Sequence, residues 1–273
     1  MNTGLAVGAA IGCALCNAAA AILQKVSSDK VSAIRTYDTK ILIRLLRQLP
    51  YASGLLLDLL AGILTLIAVN RLPLFAAQAI IASCVVVTAF LERVFLKHEL
   101  RRSTYYAAGV VLAGLACVAL AAHGERTATV SLALRCVLIA MPLVIAALGL
   151  GVLKFDHKLG AFLLAVLSGC AFGGVSIIGR VLTYPNPIWL TAKNPLLWSL
   201  IAYGALGMFF FTAALQRTLA TVVNSVMTSA QTVVPLVVGI LLLGDTARNG
   251  LWLPLWFGCL LVVAGCTYIA YTD

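Results

Sequence analysis

Two stretches decide how this chain is read: "AVNRLPLFAAQAIIAS" (68–83) and "ALQRTLATVVNSVMTS" (214–229). They align without a gap at an offset of 146 residues. Ala68 falls on Ala214, Arg71 on Arg217, Gln78 on Asn224 and Ser83 on Ser229. Beyond them Ala89 meets Pro235 and Glu99 meets Asp245. The opening "GCALCNAAAAILQK" (12–25) likewise resembles "GCAFGGVSIIGR" (169–180), in the same order along each half.

The surroundings of both stretches are apolar. Of 273 residues, 62% are hydrophobic and only 10% charged, with a mean hydropathy of +1.06. A water-soluble fold of this size has too little interior for that much apolar surface, so an all-α polytopic membrane protein is expected. Runs able to cross about 30 Å of hydrocarbon fall at 3–24, 52–70, 73–97, 103–122, 132–153, 159–182, 196–215, 219–243 and 251–271, nine in all. The segment 25–50 carries Lys25, Lys30, Arg35, Lys40, Arg44 and Arg47. Its end, "KILIRLLRQL", has helical apolar spacing with a basic face and is expected to lie along the membrane surface.

An amino terminus outside puts thirteen Lys and Arg on the inner side and six on the outer. Positive charge favours the cytoplasm, so the carboxyl terminus is expected there, in a bacterial cytoplasmic membrane. A net charge of +10 with no basic face interleaved with aromatics speaks for bilayer orientation, not nucleic acid. A signal peptide is not expected, because the charge follows the first apolar run. The eight cysteines all lie in apolar runs and read as small packing residues; Cys13 and Cys16 form a CxxC without a redox context.

Four spans in each half and one between them make the second unit enter the membrane upside down. The expected organisation is a first repeat (1–122), a connector with one span (123–158) and a second repeat (159–273). Inverted repeats around a midplane site are a recurrent plan of secondary transporters. The hairpins "VNRLPLFAAQAIIASCVVVTAFLERVFLKHEL" and "LQRTLATVVNSVMTSAQTVVPLVVGILLLGD" resemble those of the drug/metabolite transporter superfamily of EamA-type permeases. That resemblance implies ten helices in two inverted five-helix units, here with one helix missing from the first, and transport of a small solute. "AAAAILQKVSS" followed by a basic segment and "LPYASGLLLD" resembles the nine-span NIPA-like branch, which implies magnesium transport.

Polar groups inside spans are the candidate chemistry, since they mark ion or proton pathways. Asp58, in "GLLLDLLAGILTLIAV" (54–69), is the foremost, either as the coupling group or as a structural partner of Arg93 or of a basic residue in 35–47. Asn17 and Thr88 are expected in the same layer. Gln78, Asn224 and Gln231 are candidates for lining the path, with helix–helix glue the competing role. Arg71 and Arg217 read as headgroup anchors of the hairpin turns, and Glu99 and Asp245 as helix caps. Trp189, Trp198, Trp252 and Trp256 suit an interfacial belt.

No catalytic or metal site and no cofactor is expected: His98, His123 and His157 lie far apart at span ends, and no phosphate-binding loop occurs. The expected partners are a small-molecule or ion substrate and the lipid bilayer, with a homo-oligomer left open. Three functions remain at this point. They are a secondary transporter, proton-coupled through Asp58; a NIPA-like divalent-cation conduit; and a non-transporting protein of membrane assembly or lipid organisation.

Overall fold

A computed structural model describes residues 3–30, 44–69, 80–96, 102–123, 132–155, 158–182, 193–242, 246–247 and 250–272. The long helices among these are α1 (Thr3–Ser28), α2 (Leu49–Val69), α3 (Cys84–Phe95), α4 (Arg102–Ala121), α5 (Leu132–Val152), α6 (Lys158–Val181), α7 (Pro195–Leu215), α8 (Ala220–Leu242) and α9 (Trp252–Thr272). Each falls on one of the apolar runs. Two short strands, β1 (Ala122–His123) and β2 (Thr246–Ala247), pair antiparallel, Ala122 with Ala247 and His123 with Thr246. Helices dominate because a continuous apolar run with its backbone bonded internally needs nothing from its surroundings.

Four helical segments, 4–28, 132–152, 158–179 and 195–215, are long and apolar enough to cross a membrane. The outer surface agrees. Leu56, Leu59, Leu60 and Ile63 of α2, Leu143 and Leu148 of α5, and Trp256, Phe257 and Leu260 of α9 are all exposed. So much outward apolar area suits lipid, not water. The protein is membrane-embedded.

Packing follows a pattern in the two halves. In the first, α1 lies against α2 and α3; in the second, α6 lies against α7 and α8. The halves meet where α3 touches α8 and where α4 touches α9. Both crossings are antiparallel. Along the first, Glu92 meets Ala220 and Thr221, Thr88 meets Asn224, and Cys84 meets Thr228. Along the second, Gly114 faces Gly258, Leu261 and Val262, while Gly265 faces Ala107 and Val111. The connector α5 leans on α6 and α7, and the Ser199 hydroxyl of α7 donates to its Leu138 carbonyl at 2.9 Å.

Gly114 sets the distance at the α4–α9 crossing. A Cβ there would stand 2.7 Å from the Gly258 carbonyl oxygen and 2.9 Å from Val262 Cγ2. The backbone oxygen has nowhere to turn, so Gly114→Val is expected to destabilise by about 1–3 kcal/mol. Thermal unfolding in detergent measures it. Gly109→Val, whose Cβ would meet nothing within 4 Å, is the control and is expected to unfold like the parent.

The helices place one set of ends together: the last turns of α1, α3, α5 and α7 with the first turns of α2, α6 and α8. Lys25 of α1 reaches the Leu215 carbonyl of α7 at 2.7 Å, and Arg217 reaches the Leu153 and Phe155 carbonyls after α5 at 2.9 and 2.6 Å. Basic side chains thus satisfy carbonyls that helix ends leave open. Trp198, Trp252 and Trp256 sit in the early turns of α7 and α9, at the opposite end, and are exposed. Trp189 lies outside the described residues.

The expected amphipathic segment 25–50 is corrected at its start. The α1 helix runs on to Ser28, and Lys25, Ser27 and Ser28 are buried within the bundle. Residues 31–43 lie outside the described ones.

Candidate functional site: the seam of α1 and α2

The α2 face against α1 repeats with a period of seven: Tyr51, Gly54, Asp58, Ala61, Thr65 and Ala68. Such a stripe keeps one side of a helix on its neighbour. Opposite it α1 presents small side chains: Ala9, Ala10 and Cys13 pack with Ala61 and Ala68, and Gly54 faces the Ala20 backbone. Small residues let helix backbones approach closely in lipid. Into this narrow seam the sequence sets two polar layers.

In the first layer Gln24 Nε2 donates to Asp58 Oδ2 at 2.5 Å. Gln24 is completely buried, whereas Asp58 is half-buried. Gly54, one turn before Asp58, makes room for the amide: a Cβ at that position would come within 2.9 Å of Gln24 Cγ and 3.1 Å of the Ala20 carbonyl. The amide oxygen, Gln24 Oε1, has no hydrogen-bond partner among the described residues.

In the second layer Thr65 Oγ1 gives its proton to the Ala61 carbonyl at 2.8 Å. It therefore accepts from the Cys13 thiol at 3.0 Å. Asn17 Nδ2 points at the same sulfur, 3.5 Å away.

Asp58 has no cationic partner among the described residues, where the one ion pair is Lys25–Asp29 at 2.7 Å. Arg93, the suggested partner, is exposed on α3 and does not reach it. Arg44 and Arg47 are exposed as well, and Arg35 and Lys40 lie outside the described residues. Among the described residues the carboxylate is held by a neutral amide and not by a basic side chain.

No family model, curated protein or solved structure matches the chain. The reading of the site therefore rests on its own chemistry.

A second set of polar groups lies where α3 crosses α8. Asn224 of α8, buried, donates to Thr88 Oγ1 at 2.7 Å and points its amide at Cys84 Sγ, 3.7 Å away. Thr88 is free to accept because its own proton goes to the Cys84 carbonyl at 2.8 Å. Asn224 and Thr88, two of the residues singled out in the sequence, are thus in direct contact. Asn17 is not in the Asp58 layer as expected: it lies two turns further along α1 from Gln24, beside Cys13. Gln231 is half-buried on α8 two turns from Asn224, and Gln78 lies outside the described residues.

Two residues of consequence were missed. Gln24 was placed at the very end of a span next to Lys25, where an amide would be in water; the longer α1 puts it inside. Nothing in the sequence singles out Glu92, which stands beside Arg93 in a span. It is fully buried, and its carboxylate accepts from Ala220 N at 2.9 Å, Thr221 N at 2.8 Å and Thr221 Oγ1 at 2.6 Å. A carboxylate at a helix N-terminus meets unpaired N–H groups and the positive end of the helix dipole. Arg217 also differs from its expected role, since it caps α5 instead of serving only as a headgroup anchor.

Among the described residues no three His, Cys, Asp or Glu side chains gather where a metal ion could be held.

Proposed function

We propose that the protein is a secondary transporter of a small solute, of the drug/metabolite transporter type, coupled to protons through Asp58. The observation that carries this reading is the carboxylate itself. It stands in an apolar helix seam, bonded to the Gln24 amide, with no cation among the described residues to neutralise it. A structural carboxylate in lipid is expected to be paired, whereas one that takes up and releases a proton is not.

The contacts between the halves support the inverted repeat. Under the offset of 146 residues, Ser83 and Ser229 are counterparts. The contacts Cys84–Thr228, Thr88–Asn224 and Glu92–Ala220 lie at equal distances on either side of that pair. The counterpart of Gly114 is Leu260, amid the α9 residues that Gly114 faces. Equivalent helices that cross antiparallel at equivalent positions are what a two-fold axis in the membrane plane produces. Nine spans, with units 1–122 and 159–273 about the connector, complete the proposed plan. The basic Lys25 end is then cytoplasmic and the tryptophan end outside.

Asn224, Thr88 and Cys84 belong to the solute path in this reading, and Asp58 to the proton path. A divalent-cation conduit draws less support, because hydrated Mg²⁺ needs several oxygen ligands and more than one negative charge.

The test is solute-dependent proton movement in proteoliposomes, followed with a trapped pH dye against a panel of amino acids, nucleosides and small amines. Acidification or alkalinisation on adding one member of the panel is expected. A panel that moves across the membrane without proton movement would leave a transporter but remove the coupling. No flux of any member would remove both.

A further inference from the structure

One group of side-chain hydrogen bonds between the two parts of the chain gathers at the Lys25 end of the bundle, while β1 pairs with β2 at the opposite end. Lys25 of α1, itself buried, donates to the Leu215 carbonyl at the end of α7 at 2.7 Å. Its second contact, to Asp29 at 2.7 Å, holds the ammonium in place. The Tyr51 hydroxyl of α2 lies 2.9 Å from Thr212 Oγ1 of α7. The Thr212 proton is spent on the Met208 carbonyl, so Tyr51 is the donor. Glu92 of α3 receives three hydrogen bonds from the first turn of α8. All three connections join α1, α2 or α3 to the α7–α8 hairpin, where α7 ends and α8 begins.

Their chemistry is that of a reversible closure. In each of the first and last connections, a side-chain charge of the first half meets an unsatisfied helix terminus of the second. The charge sign suits the terminus in both cases: ammonium on the carbonyl end of α7, carboxylate on the amide end of α8. When such a contact parts, water can solvate the ammonium, the carboxylate and both helix ends, so the broken state is also satisfied. An apolar seam offers no such second state. The α4–α9 crossing, by contrast, is close backbone packing around Gly114 and Gly265, which suits a fixed support.

We infer that Glu92, together with Lys25, is the latch of a gate at the Lys25 end. The structure has that end shut, and parting of Glu92 from the start of α8 opens it toward the Asp58–Cys84–Asn224 groups. The inference rests on the transporter reading for its use, but the latch is read without transport. Glu92 is a positioning residue: it acts through the placement of α8.

Cys84 supplies the readout. It is 2% exposed and bonded to Asn224 and Thr228 in the shut state, so a charged, water-soluble maleimide reaches it only when the gate opens. Inside-out vesicles present the Lys25 end to the reagent, and mass spectrometry of the peptides resolves labelling at each cysteine. Glu92→Gln keeps the shape and loses the charge. Its Cys84 labelling is expected to be about tenfold faster than in the parent, the worth of a charge-assisted bond, with Cys136, near the opposite end of the bundle, unlabelled in both. Equal Cys84 rates in parent and variant overturn the inference.

A second variant guards against misfolding. Glu92→Cys with Thr221→Cys, bridged by a short bismaleimide, is expected to leave Cys84 unlabelled and to halt solute flux. The unbridged pair is expected to label faster than the parent. Flux that continues through the bridged protein overturns the latch while leaving the transporter standing. Absence of flux in the parent together with faster Cys84 labelling in Glu92→Gln removes the transporter reading and keeps the latch.

Discussion

Asp58→Asn is expected to abolish solute accumulation driven by a pH step while leaving exchange of solute for solute in place. The asparagine side chain has nearly the same shape, and its oxygen still accepts from Gln24 Nε2. The α1–α2 seam therefore stays closed, and the variant folds. What it loses is the ability to gain and lose a proton between the two faces of the membrane. A drop of at least about tenfold in proton-driven flux is expected, because a carboxylate in a span that carries the coupling has no substitute on the same helix. Measurement uses proteoliposomes with whichever solute of the panel the parent moves. Loss of the carboxylic C=O stretch from infrared spectra recorded across a pH titration identifies the group directly. Thr65→Ala, altering the neighbouring polar layer, is the control and should keep the coupling. Unchanged proton-driven flux in Asp58→Asn would falsify the role given to this residue. The counterpart position supports a one-sided device: where the first half has Asp58, the second has Gly204.

Gly169→Val is expected to give the largest loss of stability among single substitutions at helix contacts. A Cβ on Gly169 of α6 would press on the Met227 carbonyl oxygen and approach Gln231 N to 3.1 Å. Those two atoms are the ends of one turn of α8, so the new side chain pushes on a helix hydrogen bond from outside. A flexible side chain could swing away; this backbone cannot. The cost is about 2–3 kcal/mol, at the upper part of what overpacking usually gives. For a chain of this length that lowers the unfolding midpoint by roughly 5–10 °C. Gly204→Val is the matched control, since its Cβ would meet nothing within 4 Å. A shift of equal size in the two variants would show that lost glycine freedom, and not the close crossing, sets the cost.

The difference between what was legible and what was not follows a physical line. Each of the helices α1 to α9 lies on an apolar run marked in the sequence, because a membrane helix closes its own backbone bonds and needs only length and apolarity. The error at the end of α1 shows the limit. Lys25 looked like the start of water because it is charged, but the Leu215 carbonyl and Asp29 receive its protons inside the bundle. That single contact moved Gln24 from a surface position to the group that holds Asp58. A signal for it was present: the seven-residue stripe from Tyr51 to Ala68 marks the face of α2 that must meet a neighbour, and Asp58 is on it. Nothing comparable points to Glu92, whose value depends on where the first turn of α8 ends up.

The amino-acid sequence by itself determined the membrane setting, the positions of the helices and the conspicuous place of Asp58, since all three depend on local composition and spacing. Tertiary structure alone decided which group each polar side chain meets. Asp58 faces Gln24 and not Arg93, Asn224 faces Thr88, and Glu92 faces the amides of another helix. A buried polar group must be satisfied, but any suitable donor or acceptor in reach will do. Which one comes within reach depends on helix register and crossing, and those depend on the whole bundle.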